Sequence, residues 1–406
     1  MDEHQYDDFQ PKREFDPLAH ETELDWETYR APMKPSIDET VGLTSPGNWT
    51  IGSSMLCKAC NDKQQPPPEA VCSWTDNGTM YYLQKRQVPK EDLEPEGNFL
   101  IGRLADYEGP FRSVWSLSPN VFIKVKPWTK DLTTEATTIR WVNKHVPSLP
   151  TEDVIYDWID TKWFRTVMIS RRVPGVTYQE AWPSLSTQQK LQVADQVAEH
   201  LKALGQFTSD YIETVAGTGL AGKHSLGVAE ALSPTKLRVL PRVSRKDHID
   251  YMTRLDSGIT PLCADEPLVL QHNDVNPTNF LITKPSSPQE IPKVTGIIDW
   301  ENIGYKLKWE TSTFARQSTS FWVHTDPPHP ERNDWGWMLS NACVRAGFPI
   351  YLGLIRREAR LRYPDYPDTP VEYLYNSTNM PIIGKNGLPP TFGRNQLNCS
   401  IIPRIH

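Results

Sequence analysis

The stretch "LVLQHNDVNPTNFLI", residues 268 to 282, places His272, Asp274 and Asn279 between two short apolar runs, and "VTGIIDWE", residues 294 to 301, ends a third apolar run on the carboxylate of Asp299. Apolar runs this short, bounded by turn formers, read as buried strands rather than helices. Polar side chains set among them cost free energy unless they are paired or used. Asn, Asp, Pro and Thr also build ordinary turns, so a polar turn between strands is the plain reading. The rest of the chain decides between a turn and a site.

The chain has 406 residues, enough for two or three domains. Hydrophobic residues make up 38% and Pro numbers 36, which fits a globular protein with solvated extensions. No apolar run approaches the roughly 20 residues of a spanning helix, so no membrane partner is expected. The N-terminus "MDEHQYDDFQPKREFD" is acidic and has no apolar centre, unlike a secretory signal, and a cytoplasmic location is the expectation. A net charge of −7 argues against nucleic acid as a partner. Six cysteines in this length make no disulfide framework. Cys57, Cys60 and Cys72 lack a nearby fourth ligand for structural zinc and read as reduced thiols.

Four regions follow from the pattern. Residues 1–46 are acidic and Pro-punctuated, an extension draped on the surface or mobile. Residues 47–95 form a small β element in which "VCSWTDNGTMYYLQKRQV" alternates around Asp76-Asn77-Gly78, a hairpin turn. Residues 96–173 make a small antiparallel lobe with one helix in "DLTTEATTIRWVNKHV", capped by Thr133 or Thr134 and buried through Ala136, Ile139 and Val142 or Trp141. Residues 174–406 begin with the clearest helix, "STQQKLQVADQVAEHLKALGQF", whose Leu191, Ala194, Val197, Ala198, Leu201 and Leu204 share one stripe. The outline is α+β and bilobal: a β-rich N-lobe with one helix, then a larger, mainly helical C-lobe.

Four polar groups on this outline meet the needs of phosphoryl transfer. Lys124 in "VFIKVK" lies within an apolar strand and needs a partner, and Glu135, opening the next helix, is the nearest. Such a pair holds nucleotide α/β-phosphates in protein kinases. Lys126 is expected on the exposed face of that strand. Asp274 and Asn279 are five residues apart, the separation at which one loop aims a proton acceptor and a magnesium ligand at one phosphate, with His272 orienting the loop. Asp299 ends a buried strand, where a carboxylate suits magnesium between phosphates.

With these residues in place, "HNDVNPTNF" and "VTGIIDWE" resemble the aminoglycoside phosphotransferase and choline kinase-like family, especially its fungal branch. The likeness extends through "VWSLSPNVFIKVKPW", "TTEATTIRWV" and "RRVPGVTYQEAWPSLS", about residues 97 to 325. The resemblance implies a protein kinase-like fold, ATP and Mg2+ as cofactors, and a small-molecule acceptor. It implies Lys124 on the phosphates, Glu135 positioning it, Asp274 as base, and Asn279 and Asp299 on the metal. It also implies a hinge at Ser170 to Val173, with Arg171 and Val173 beside the adenine. The phosphate-covering stretch "LADYEGPFRSVWSL" departs from the pattern in having only Gly109, which leaves Ser113 and backbone amides to cradle phosphate. The fourteen Trp residues read as core and lobe packing, though Trp115, near the phosphate-covering stretch, could also touch nucleotide. Two alternatives stay open: a nucleotide-binding scaffold without turnover, and a protein kinase, although "WENIGYKLKWETSTFARQ" has no Ala-Pro-Glu end.

Overall fold

The structure is a computed structural model that describes residues 22–25, 35–60, 65–87, 97–104, 112–128, 132–220, 236–239, 242–255, 266–317 and 334–350. Gly109 of the phosphate-covering stretch and the chain beyond residue 350 lie outside the described residues.

After a short strand, Thr22–Asp25, paired with Lys236–Val239, come five strands: β1 (Val41–Ser45), β2 (Asn48–Ile51), β3 (Met55–Cys60), β4 (Ala70–Asp76) and β5 (Thr79–Lys85). They form one antiparallel sheet in the order β1-β2-β3-β5-β4. Asn77 at φ 47° and Gly78 at φ 80° close the β4–β5 hairpin in two residues. Both central residues of such a turn need positive φ, which is why Asn-Gly marks it in sequence. The boundary expected at residue 46 falls inside the β1–β2 hairpin, so the sheet recruits the end of the acidic extension.

A second antiparallel sheet follows: β6 (Ser113–Ser118), β7 (Val121–Pro127), β8 (Val154–Asp160) and β9 (Arg165–Arg171), in the order β6-β7-β9-β8. Between β7 and β8 lies α1 (Glu135–His145). Thr134 caps it by accepting from the Thr137 amide at 3.2 Å, and Ala136, Ile139 and Val142 are buried. Residues 102–104 run beside β6, with Ser116 N donating to Gly102 O at 2.6 Å and Leu104 N to Val114 O at 2.8 Å. The two sheets share one core. Trp49, Ile51, Trp74 and Leu83 meet Trp115, Ile123, Val125, Val167 and Ile169. Trp115 is therefore not at a nucleotide site: it is 0% exposed, and its indole N–H is spent on the Phe99 carbonyl at 2.9 Å.

The second lobe holds α2 (Thr187–Leu204), whose cap Ser186 and Gln189 satisfy each other's backbone amides. Strand β10 (Val176–Thr177) joins β12 (Phe280–Ile282) and β13 (Val294–Ile297) in one small sheet, while β11 (Leu268–Gln271) pairs with β14 (Gly304–Leu307). Helices α3 (Lys308–Gln317) and α4 (Asp334–Arg345) complete the described part. Tyr178, Trp182, Phe280, Trp300 and Trp335 fill its core with Val193, Val197 and Leu201 of α2. The result, among the described residues, is an α+β, bilobal architecture with two hydrophobic cores and a β-rich N-lobe carrying one helix. No helix among the described residues is long and apolar enough to cross a membrane.

Candidate active site

Period two along β7 turns Val121, Ile123 and Val125 into the core and puts Lys124 and Lys126 on the opposite face, toward α1. Lys124 Nζ donates to Glu135 Oε1 at 2.8 Å and also to Asp299 Oδ1. Lys126 is not on an exposed face. Its Nζ donates to Glu135 Oε2 at 2.8 Å, lies 3.3 Å from Asp299 Oδ1, and pairs with Glu301. The side chains of Lys124 and Lys126 are only 14% and 12% exposed. The i,i+2 spacing around a buried Val125 is the signal that would have identified Lys126 in the sequence.

Arg112 enters the cluster from the residue before β6. Its Nη1 donates to Asp299 Oδ2 at 2.6 Å and lies 3.5 Å from Glu301 Oε1. Three cations thus face three carboxylates. No sequence motif marked Arg112, because it follows a stretch without periodicity. Charge governs the ionisation here. Burial would raise the carboxyl pKa of Asp299, but Lys124, Lys126 and Arg112 hold it well below the usual range. Glu135 is likewise held down against burial by the two lysines. Burial also works against the Lys124 ammonium, yet Asp299 and Glu135 hold its pKa above the ordinary lysine value. Lys126 goes the other way. Burial comes first and Lys124 adds to it, so despite Glu135 its pKa falls to about 8.

The loop after β11 brings in the other limb. His272 is 0% exposed, stacks edge-on to Trp300 at a centroid distance of 4.8 Å, and its Nε2 meets the Ile298 carbonyl at 3.1 Å. A carbonyl can only accept, so Nε2 carries the hydrogen. Burial lowers the His272 pKa, keeping the ring neutral, and the imidazole ties this loop to the residue before Asp299. Asn279 Nδ2 donates to the Asp274 carbonyl at 3.1 Å, and Ile298 N donates to Asn279 O at 3.0 Å. Asn279 is buried and Asp274 is half-buried.

Two of these residues adopt left-handed backbone: Asn273 at φ 64° and Asp299 at φ 69°. Non-glycine residues reach that region at a cost, least for Asn and Asp. At Asp299 the turn also aims the Trp300 amide at Glu135 Oε1, 3.1 Å away. One carboxylate oxygen from each of Glu135, Asp299 and Glu301 lies within 4.8 Å of the others. That hard-oxygen donor set fits a magnesium ion, with cationic side chains as its competitors.

The remaining sequence candidates have other partners. Ser113 is buried, and its hydroxyl donates to Asp38 Oδ1 at 2.9 Å. Arg171 is exposed, its guanidinium 3.3 Å from Asp153 and its amide donating to the Asp153 carbonyl at 2.9 Å. Val173 is buried against Gly296 of β13. Cys57, Cys60, Cys72 and Cys343 are free thiols.

Residues 124–307 match the model of a phosphotransferase enzyme family, APH. The match runs from Lys124 to Leu307 and encloses Glu135, His272, Asp274, Asn279, Asp299 and Glu301, with Arg112 and Ser113 before it. No curated protein matches the chain. Among solved structures, the GDP and kanamycin complex of APH(2'')-IIia is 14% identical, with a TM-score of 0.39, covering 64% of this chain and 82% of its own. Aminoglycoside phosphotransferase APH(3'')-Id from Streptomyces rimosus is 12% identical with a TM-score of 0.39, over 64% and 90% of the two chains. ADP-bound aminoglycoside phosphotransferase APH(2'')-Ib is 14% identical with a TM-score of 0.36, over 64% and 82%.

Proposed function

We propose that this chain is an ATP- and magnesium-dependent phosphotransferase that transfers the γ-phosphoryl group to a hydroxyl of a small molecule. The observation that carries the reading is Lys124 bonded at once to Glu135 of α1 and to Asp299 at the end of the "GIID" run, with the Asp274–Asn279 loop hydrogen-bonded alongside. Separate stretches of sequence converge there on the parts that phosphoryl transfer needs.

In this reading Lys124, fixed by Glu135, neutralises the nucleotide phosphates. Asp299 and Asn279 hold the metal, with Glu135 and Glu301 near enough to join. These residues would hold a magnesium ion, whose positive charge would offset that of the phosphates. Asp274 accepts the proton of the attacking hydroxyl, and His272 keeps its loop in place through Ile298. Catalysis by such a site is mostly position and charge, so each group acts by being held rather than by moving. We place the protein in the cytoplasm, where MgATP is plentiful.

The test is ATP turnover with magnesium against a panel of hydroxyl-bearing metabolites, with Asp274→Ala alongside. Turnover stimulated by one compound and reduced at least about 100-fold in the variant is expected, since positioned acid–base groups contribute about 10²–10⁴-fold. A loss of less than about tenfold sinks the assignment of the base. ATP binding without turnover on any compound favours the scaffold.

A further inference from the structure

Both oxygens of Asp299 are engaged by cations: Oδ1 by Lys124 and Lys126, Oδ2 by Arg112 at 2.6 Å. A metal ion reaching this carboxylate competes with them for its lone pairs and its charge. The three differ in the element they come from and in exposure: the Lys124 and Lys126 side chains are 14% and 12% exposed and that of Arg112 20%. The lysines project from β7 and each also donates to Glu135 at 2.8 Å. Arg112 stands at the start of β6, and its second carboxylate, Glu301, is farther off at 3.5 Å. Its side chain is 20% exposed, so the guanidinium has an edge toward solvent.

We infer that Arg112 competes with a divalent cation for Asp299 and, once displaced, pairs with a nucleotide phosphate. Electrostatics gives the direction. A divalent ion and a guanidinium 2.6 Å from the same oxygen repel each other strongly in a part-buried site. The fork of a guanidinium matches phosphate oxygens in a bidentate pair, which an ammonium cannot do. The same residue therefore weakens metal binding in the absence of nucleotide and strengthens binding of the metal–nucleotide complex. The site admits the ion best when phosphate comes with it. This inference rests on the functional reading above for its phosphate half, and on the Asp299 geometry alone for its metal half.

The experiment uses the full chain and two ligands. Mn2+ binding without nucleotide is followed by the electron paramagnetic resonance of free Mn2+, and MgATP binding by calorimetry. Wild type, Arg112→Gln, Arg112→Lys and Asp299→Asn are compared after thermal melts confirm folding. Arg112→Gln is expected to bind Mn2+ several-fold more tightly and MgATP about tenfold more weakly, the size of one lost charge-assisted bond. Arg112→Lys, which keeps charge but not the fork, should fall between on MgATP. Asp299→Asn should lose the Mn2+ site. A residue that merely supported the fold would shift both affinities the same way. Unchanged or weaker Mn2+ binding in Arg112→Gln overturns the inference, and so does wild-type MgATP affinity in that variant. Wild-type protein that binds no MgATP overturns the functional reading and the phosphate half of this inference, while the Mn2+ comparison still decides the metal half.

Discussion

Glu152 sits one residue before Asp153 and two before β8, buried near the ion cluster, with its Oε2 lacking a protein partner. Burial first, then the charge on Glu135, pushes its pKa from 4.5 up to about 7. Between those values the native protein keeps a proton that the unfolded chain has released, so stability falls as pH rises through that window. Glu310, buried in α3, is pushed up to about 7 by burial and steepens the same slope. Glu152→Gln removes the carboxylate while keeping its shape. At pH 8 it should stabilise the protein by on the order of 2 kcal/mol, a rise of a few degrees in Tm, whereas at pH 4, below both values, Glu152 is mostly protonated in the folded and unfolded states alike and Tm should barely move. Melts at the two pH values decide it, and equal shifts at both would count against a charged Glu152. The same contrast between context and charge explains what the sequence made legible at this scale. Lys124, Glu135, Asp274, Asn279 and Asp299 stand at motif spacings in apolar surroundings, where a polar residue needs a reason. Lys126 looked like a surface charge and Arg112 drew no reading at all, because their partners come from residues 135, 299 and 301. Only the folded chain puts those within reach.

At the scale of elements, β13 packs against Val173, in the stretch the sequence resemblance reads as a hinge, and leads into Asp299. A Cβ added at Gly296 would overlap Val173 Cγ1 and lie 3.5 Å from Leu281 Cβ on β12. Val173 is buried, so it has little room to yield. Gly296→Ala should therefore cost about 1–3 kcal/mol, as overpacking of a filled core does, and move the backbone of residues 171–173. A lower Tm together with weaker MgATP binding is expected, whereas a variant as stable as wild type would show that β13 and the hinge are not tightly coupled. Strands and helices themselves were readable where a local rule was strong: the Asn-Gly hairpin, the Thr134 cap, the stripe of α2. Strand pairing was not. The segment 102–104 pairs with β6 through only Gly102 and Leu104, too short a run to show alternation, and β10 has two residues. Elements that small exist because their neighbours offer unpaired backbone groups, and a sequence window carries no trace of that.

At the scale of the molecule, the five N-terminal strands behave as part of the lobe that carries Lys124 rather than as an appendage. Two buried aspartates join the sheets besides the shared core. Asp76, in the β4–β5 hairpin, accepts from the Asn120 amide and side chain at 2.9 Å each, and from Ser118. Asp160, ending β8, accepts from Ser53 N at 2.5 Å and Ser53 Oγ at 2.9 Å, and from the amides of Lys162 and Trp163 at 3.1 Å. An expected boundary between a β element and the lobe at residues 95–96 would leave Trp115, Ile123, Val125 and Val167 facing water. Their burial beneath β2, β3 and β5 argues that the two sheets melt together. Asp160→Ala strands the Ser53 and Trp163 donors in the interior, which should cost about 3 kcal/mol or more. If the sheets form one cooperative unit, calorimetry will show the transition that contains β7 moving down as a whole, and MgATP protection will shift with it. If instead Asp160→Ala splits off a separate low-temperature transition and leaves the MgATP-protected one where it was, the N-terminal sheet is a domain of its own. The common core would then be a contact and not a foundation. The distances around Asp160, with no exposed step between the sheets at Ser53, favour the first outcome.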